Sequence, residues 1–201
     1  MHEADDPDAF VDLLDPDALT GQDGGDVDAF AVHANAPASG HQDLALVQGV
    51  KADSDGDLLP DVEIGSWTRP WNAKPDAGRL RKGIPPAPPW AYDPRGIEQV
   101  GCVYTAQGFE FDYVGVIWGP DLTYRFDQQG WIGDKTASRD SVVKRSGERF
   151  LGLVKNTYRV LLSRGLKGCY VVFLDRETEN FVRSRMEIQR TSEFRKAGAK
   201  V

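Results

Sequence analysis

VGCVYTAQGFEFDYVGVIWG (Val100–Gly119) and KNTYRVLLSRGLKGCYVVFLD (Lys155–Asp175) are the two stretches that decide the fold of this chain. Each joins a run of β-branched and aromatic residues, which is typical of a buried parallel strand, to a short polar turn or helix end. We predict strands at Val100–Tyr104, Tyr113–Trp118 and Cys169–Leu174. The segments between and after these strands complete the prediction of the fold.

Helices are predicted on either side of the last strand. Apolar residues recur at three-to-four spacing from about Ser141 to Ser163, and Gly147 divides this stretch into two helices. The charged segment Arg176–Arg190 predicts a terminal helix, and residues 121–140 are predicted to be loop. The order strand, strand, helix, strand, helix indicates a layered α/β domain with a mostly parallel sheet.

The chain is acidic at its start and basic in its second half. Residues 1–50 contain eleven acidic side chains and no Lys or Arg, whereas the remaining residues contain 24 basic and 20 acidic side chains. From Lys135 onward there are sixteen basic and seven acidic residues, a balance of +9. This asymmetry allows a polyanion as a partner of the second half, although a solvated surface explains it nearly as well.

Two segments before Val100 have unusual compositions. Residues 1–40 have no sustained apolar period and cannot offset the entropy of folding, so we predict a disordered acidic tail followed by one domain at 41–201. Residues 62–95 are rich in Pro, which excludes regular helix or central strand. Three tryptophans in this segment could stack on single-stranded bases, but we favour an ordered loop that is anchored by Trp67, Trp71 and Trp90.

Metal sites, disulfides and membrane segments are not predicted. Asp53 opens a pattern spaced like a Ca²⁺ loop, but Leu58 replaces the turn glycine and Ile64 the bidentate Glu, so we predict an acidic hairpin turn. Cys102 and Cys169 lie in apolar runs without a metal-binding spacing and are predicted to be reduced core residues. No apolar stretch approaches the roughly 18 residues of a membrane span, and we predict a cytoplasmic protein.

The turn Thr105–Glu110 carries the first candidate site. It follows a predicted strand at the carboxyl end, where open parallel sheets place their ligands. Gly108 permits a tight turn, and the hydroxyl of Thr105, the amide of Gln107 and the carboxylate of Glu110 suit phosphate and ribose oxygens. A polar turn that is capped by its own side chains is an equally good explanation.

Arg164 is the second candidate. It closes an otherwise apolar helix just before a predicted strand, and its planar cation suits a γ-phosphate on which charge develops during transfer. By itself, however, the position favours an ordinary arginine that complements a helix dipole. Arg159 lies five residues earlier, about 140° around the helix, so both cannot point at one ligand.

A family resemblance connects the two candidates. YTAQGFEFDYVGVI resembles motif V of superfamily 1 helicases, and YRVLLSRG resembles motif VI, with Arg164 at the arginine-finger position. Together with RPWNAKPDAGRL, WAYDPRGIEQVGC and KNTYRVLLSRGLKGCYV, residues from about Val62 to Arg185 resemble the Schlafen group 3 DNA/RNA helicase-domain family. The resemblance implies a P-loop NTPase-like fold and the second RecA-like domain of a pair that binds ATP between them.

The resemblance also implies roles for the residues. Gln107, Gly108 and Glu110 would form the nucleotide side of the turn, Arg164 would reach the γ-phosphate, and Thr105 would contact a phosphate of single-stranded DNA or RNA. ATP and Mg²⁺ are implied as cofactors of the intact family protein, with no tight binding expected for this chain alone. The role of Arg159 stays open.

The sequence lacks the phosphate-loop motif that such a helicase needs. It contains no G-x-x-x-x-G-K-[ST] phosphate loop, which in the family belongs to a first RecA-like domain upstream or in trans. We therefore expect no ATP hydrolysis by this chain alone. The alternatives are a non-catalytic nucleic-acid-binding or protein-binding module and a truncated gene remnant.

Overall fold

A computed structural model of the chain describes residues 29–32, 52–64, 67–74 and 77–198. The strands are β1 (Ala29–Val32), β2 (Val62–Ile64), β3 (Trp67–Arg69), β4 (Val100–Gly101), β5 (Phe111–Trp118), β6 (Leu122–Arg125), β7 (Gly130–Gly133) and β8 (Gly165–Phe173). The α-helices are α1 (Val103–Ala106), α2 (Ser141–Lys144), α3 (Phe150–Leu162) and α4 (Arg176–Gly198).

Four parallel strands form the central sheet, in the order β4-β1-β5-β8. β5 and β8 pair along most of their length, from Val114 opposite Cys169 to Trp118 opposite Phe173. The other strands form two antiparallel pairs, β2 with β3 and β6 with β7. The chain is therefore a mixed α/β protein with a small parallel sheet, as the sequence predicts.

Aromatic side chains dominate the larger core. Trp118 on β5 stacks on Tyr158 of α3, with ring centroids 4.4 Å apart, and Tyr124 stacks on Phe181 of α4 at 3.5 Å. A second, smaller core joins Trp71 and Val62 to Ile117 of β5. The parallel sheet thus has buried side chains on both faces, which explains why its strands have continuous apolar runs in the sequence.

The helical part of the prediction is confirmed in outline. Gly147 does divide the stretch, because a short 3₁₀ turn at Gly147–Arg149 separates α2 from α3. The terminal helix begins at Arg176 as predicted and continues to Gly198. β8 begins at Gly165, four residues before the predicted start, because the pairing of Phe111 with Gly165 extends the ladder.

Three predictions about local structure are corrected. Ala29–Val32 forms a central strand within the segment predicted to be a disordered tail, because parallel pairing with β4 and β5 supplies its hydrogen bonds. The strand predicted at Val100–Tyr104 ends at Gly101, since α1 begins at Val103. The loop predicted at 121–140 contains the β6–β7 hairpin. The rest of residues 1–40 lies outside the described residues.

The Pro-rich segment is held by buried tryptophans. Trp71 and Trp90 are buried, and the Trp90 indole N–H donates to the carbonyl oxygens of Gly96 (2.9 Å) and Gln99 (3.3 Å). A side chain at Gly101 would collide with the Trp90 ring, so glycine is needed for this close approach. The predicted anchoring is confirmed for these two residues, whereas Trp67 is half-buried.

The acidic segment is a hairpin turn, as predicted. Asp53 Oδ1 accepts the backbone N–H groups of Asp55 and Asp57, and Ala52 pairs with Leu58 in an antiparallel bridge. Within the described ranges, no three or more His, Cys, Asp or Glu side chains are grouped closely enough to hold a metal ion.

Cys102 and Cys169 are both free and buried, and burial raises the pKa of Cys169 to about 12. None of the helices in the described part of the chain has the length and apolar character required to cross a membrane.

Candidate functional site

The predicted motif V turn begins with a helix of a single turn. Cys102 precedes α1, and the hydroxyl of Thr105 accepts the Cys102 backbone N–H and donates to the Cys102 carbonyl oxygen, both at 3.0 Å. The half-buried hydroxyl of Thr105 is therefore engaged within its own turn. This local capping explains why the strand ends at Gly101.

After α1 the chain makes an exposed turn. Gln107, Gly108 and Glu110 are exposed, and Gly108 has a φ of +87°. A Cβ added at Gly108 would meet no atom within 4 Å, so glycine is favoured here for its backbone conformation rather than for lack of space. The turn thus presents an amide and a carboxylate to solvent on a bend that glycine permits.

Arg164 lies directly beside this turn. Its Nη1 donates to the carbonyl oxygen of Phe109 at 3.3 Å, and the N–H of Phe111 donates to the Arg164 carbonyl oxygen at 2.9 Å. Its Nε donates to the Val160 carbonyl oxygen and its Nη2 to Ser163 Oγ, both at 3.0 Å. These bonds use three of the five N–H donors of the guanidinium and leave one on each Nη atom.

The structure therefore brings Arg164 and the segment from Gln107 to Glu110 together on one edge of the sheet, whereas Thr105 lies in α1, after β4. Glu110 immediately precedes β5, and Arg164 immediately precedes β8, where Phe111 and Gly165 are paired. This edge holds the amino ends of β5 and β8. The predicted position of the turn at the carboxyl end of a strand holds for Thr105 after β4 but is wrong for the segment from Gln107 to Glu110, which precedes β5.

Arg159 has a different hydrogen-bond partner from Arg164. It is half-buried on α3, and its Nη1 donates to Asn156 Oδ1 at 3.2 Å. Arg159 and Arg164 are thus two arginines that are close in sequence but bonded to different groups. This difference makes Arg159 a matched reference for Arg164.

Sequence reasoning missed a contact between α1 and α2. The hydroxyl of Tyr104 donates to Asp140 Oδ2 at 2.7 Å, and Asp140 Oδ1 accepts the N–H groups of Val142 and Val143 as the N-cap of α2. Asp140 is buried, whereas Tyr104 is 53% exposed. The N-cap could have been found from an Asp that precedes an apolar helix start, but nothing in the sequence links it to Tyr104.

A second group of hydrogen bonds that the sequence does not predict lies at the carboxyl end of β5, on the edge of the sheet opposite Arg164. The Tyr158 hydroxyl donates to Asp121 Oδ1 and accepts the Gly119 N–H, both at 2.8 Å. Burial raises the pKa of Asp121 to about 7. This group holds α3 against the loop that follows β5, and Arg164 lies two residues after the end of α3.

An exposed tyrosine also borders the motif V turn. Tyr92 is 69% exposed, and its ring lies 6.0 Å from that of Phe109, whose carbonyl oxygen binds Arg164. The surface around Arg164 therefore includes an exposed aromatic ring in addition to the polar turn.

Comparison with known proteins identifies the family of the chain. The chain is similar to the uncharacterized protein YPL245W of Saccharomyces cerevisiae, with 32% identity over 102 residues, which cover 44% of this chain. The match spans only about a fifth, 21%, of that relative. No solved structure matches the chain. The family model described as "Schlafen group 3, DNA/RNA helicase domain" matches residues 34–175, which include the turn and Arg164. The chain belongs to the Schlafen group 3 DNA/RNA helicase-domain family.

Proposed function

We propose that this chain is the second RecA-like domain of a superfamily 1-like helicase ATPase. In this proposal the chain supplies the motif V turn and the motif VI arginine, and a phosphate-loop domain is supplied by another part of a longer protein or in trans. Family membership supports a role with DNA or RNA. The role in ATP hydrolysis goes beyond family membership and is the part that we propose.

One observation carries the proposal: the contact between Arg164 and the motif V turn. The guanidinium binds the Phe109 carbonyl oxygen, and the Arg164 backbone binds the Phe111 N–H. Two segments about fifty residues apart are thereby joined, in the order and context of motifs V and VI. An arginine held by three protein acceptors, with two donors left, is pre-positioned for a phosphate oxygen without full immobilisation.

The chemistry of the exposed residues suits ATP. Arg164 would approach the γ-phosphate and stabilise the charge that develops on it, while Gln107 and Glu110 would hold the nucleotide by hydrogen bonds. ATP would supply the phosphoryl group. We assign Mg²⁺ to the phosphates and to the acidic motif of the phosphate-loop domain, as the family pattern implies.

The test measures ATP hydrolysis in the presence of single-stranded nucleic acid, with the chain joined to a phosphate-loop domain of the family. We expect Arg164→Ala to lower the turnover rate by about 10³–10⁵-fold, the usual effect of removing an arginine finger. Arg159→Ala is the matched control, because this arginine has the same charge and also lies near the end of α3 but contacts Asn156 instead.

Turnover by the Arg164→Ala protein within a few-fold of the parent would show that Arg164 is not the finger. Equal losses in the Arg164→Ala and Arg159→Ala proteins would show a general effect of charge or folding. Either result would remove the basis of the ATPase proposal.

A second candidate function is a non-catalytic nucleic-acid-binding module. The excess of basic residues from Lys135 onward favours it. In that case the chain would bind DNA or RNA with steep salt dependence, and Arg164→Ala would change no hydrolysis rate.

A further inference from the structure

We propose that Tyr104 and the basic surface around α2 form a binding site for one strand of DNA or RNA. The inference rests on the proposed function for the class of its ligand, but it names a different surface from the nucleotide edge. The family resemblance points to Thr105 as the nucleic-acid contact. The structure favours the residue before it.

The hydroxyl of Thr105 is poorly available to a ligand. It is half-buried and engaged with both the N–H and the carbonyl oxygen of Cys102. The side chain of Tyr104, by contrast, leaves the same one-turn helix toward solvent and is 53% exposed. An exposed aromatic ring is the group on which an unpaired base stacks without sequence preference.

Tyr104 is also held in place. Its hydroxyl donates to Asp140 Oδ2 at 2.7 Å, and the other oxygen of that buried carboxylate caps α2 through the N–H groups of Val142 and Val143. One end of the ring is thereby fixed to a helix terminus while much of its surface stays open. A ring that is already ordered loses little conformational entropy when a base binds.

The surface next to Tyr104 is basic. α2 is a single turn that begins beside Asp140, so that its last residues lie within about 6–8 Å of the Tyr104 anchor along the helix. Between residues 134 and 149 the basic side chains outnumber the exposed acidic ones, Asp134 and Glu148. These basic residues are Lys135, Arg139, Lys144, Arg145 and Arg149.

Two of these cations suit phosphate contacts best. Lys144 and Arg145 are exposed at the end of α2, and Arg145 uses only its Nε in a bond to the Ser141 carbonyl oxygen. Its Nη groups remain for a phosphate oxygen. An aromatic ring beside such cations is the combination that single-stranded nucleic acids bind.

The test is binding of fluorescein-labelled oligo(dT) and oligo(U) of about twelve nucleotides, within the range of site sizes for such surfaces. Fluorescence anisotropy is measured on the full chain without ATP at several salt concentrations. We expect Tyr104→Ala to weaken binding at least about fivefold, since one stacked base contributes roughly 1–3 kcal/mol. Tyr104→Phe, which keeps the ring, should bind within about twofold of the parent chain.

The contribution of the two cations to binding is measured separately, through the salt dependence of the affinity. Replacing Lys144 and Arg145 by Ala should lower the slope of log affinity against log salt by about 1.4, which is two phosphate contacts at about 0.7 each. Phe126→Ala and Lys82→Ala are matched controls, because both residues are exposed but lie outside α1 and α2. Both should bind like the parent chain. Thermal melting of each variant checks that it is folded.

Three results would overturn the inference. The parent chain binds neither oligonucleotide, or Tyr104→Ala binds as tightly as the parent, or Tyr104→Phe loses as much affinity as Tyr104→Ala. Intact binding together with an unchanged hydrolysis rate in Arg164→Ala would contradict the ATPase proposal and leave this site in place. The two proposals therefore fail separately.

Discussion

Two tyrosine–aspartate pairs of the molecule share the same kind of hydrogen bond but differ in their surroundings. Tyr158 donates to Asp121 at 2.8 Å, and Tyr104 donates to Asp140 at 2.7 Å. Tyr158 and Asp121 have no exposed surface, whereas Tyr104 is 53% exposed. The same chemistry therefore occurs once in the core, under α3, and once at the surface, between α1 and α2.

Burial gives the two pairs different consequences. Burial and the neighbouring Asp121 raise the pKa of Tyr158 well above its usual value, and burial raises the pKa of Asp121 to about 7. At the surface, partial burial and Asp140 raise the pKa of Tyr104 to about 12. Loss of the core bond leaves polar groups without water as a replacement partner, but water can replace the surface bond. We infer that the hydrogen bond of the core pair stabilises the fold, whereas in the surface pair the exposed ring, rather than the bond, is the part that serves a ligand.

A large loss of stability is expected for Tyr158→Phe. It removes the hydroxyl that Asp121 and the Gly119 N–H both use, inside a core that keeps its ring stacking on Trp118. We expect the free energy of unfolding to fall by about 1–3 kcal/mol, the cost of buried groups that lose their partner. Urea denaturation at pH 7 measures it.

Tyr170→Phe is the control, because Tyr170 is half-buried and its hydroxyl has no hydrogen bond within the described residues. It should change stability by less than about 0.5 kcal/mol. Equal losses in the two variants would contradict a special role for the Tyr158 hydroxyl.

The sequence predicts the helix of the core pair and the grouping of the site residues better than it predicts the two tyrosine–aspartate hydrogen bonds. The apolar spacing predicts the helix that contains Tyr158, although it does not single out this residue as buried, and the motif phrases predict that Arg164 and the Thr105–Glu110 turn belong to one site. Neither Asp121 nor Asp140 can be paired with its tyrosine from the sequence, because each pair spans about 36 residues and depends on how the helices pack on the sheet. Tertiary hydrogen bonds have no local signature.

Strand β1 was missed for a related reason. Ala29–Val32 is a four-residue apolar run in an Asp-rich context, which is too short to show a period. Its partners, β4 and β5, lie about seventy or more residues away. The β6–β7 hairpin was missed because its turn and strands contain polar residues and glycine, and a positive φ falls on Gln129 rather than on the following glycine.

A second prediction concerns pH and the Asp121 carboxyl. Its pKa is about 7 in the folded chain and 3.8 as a reference value, so between these values the folded chain holds a proton that the unfolded chain has lost. Stability from this group is therefore complete below about pH 4 and is lost as the pH rises to about 7, with a slope of up to about 1.4 kcal/mol per pH unit.

Asp121→Asn removes this ionisation and keeps an oxygen that can accept from Tyr158. We expect the variant to gain stability relative to the parent chain from pH 5 to pH 7 and the difference to level off above pH 7. Urea denaturation at four or five pH values measures it. Asp93→Asn is the control, because its hydrogen bonds with Arg95 lower the pKa of Asp93 to about 2, and the difference from the parent should stay constant over this range. A constant difference for Asp121→Asn as well would contradict the raised pKa.

The smallest expected effect is that of Tyr104→Phe on stability. Asp140 keeps the bonds that cap α2, to the N–H groups of Val142 and Val143, and we expect water to take the place of the lost hydroxyl, because the Tyr104 side chain is 53% exposed. We expect a loss below about 1 kcal/mol in urea denaturation, less than that of Tyr158→Phe. A loss as large as that of Tyr158→Phe would mean that the surface pair is also structural, and exposure would then not separate the two pairs. A small loss together with retained oligonucleotide binding would instead show that the ring is the functional part of Tyr104, because the bond to Asp140 contributes little to either property.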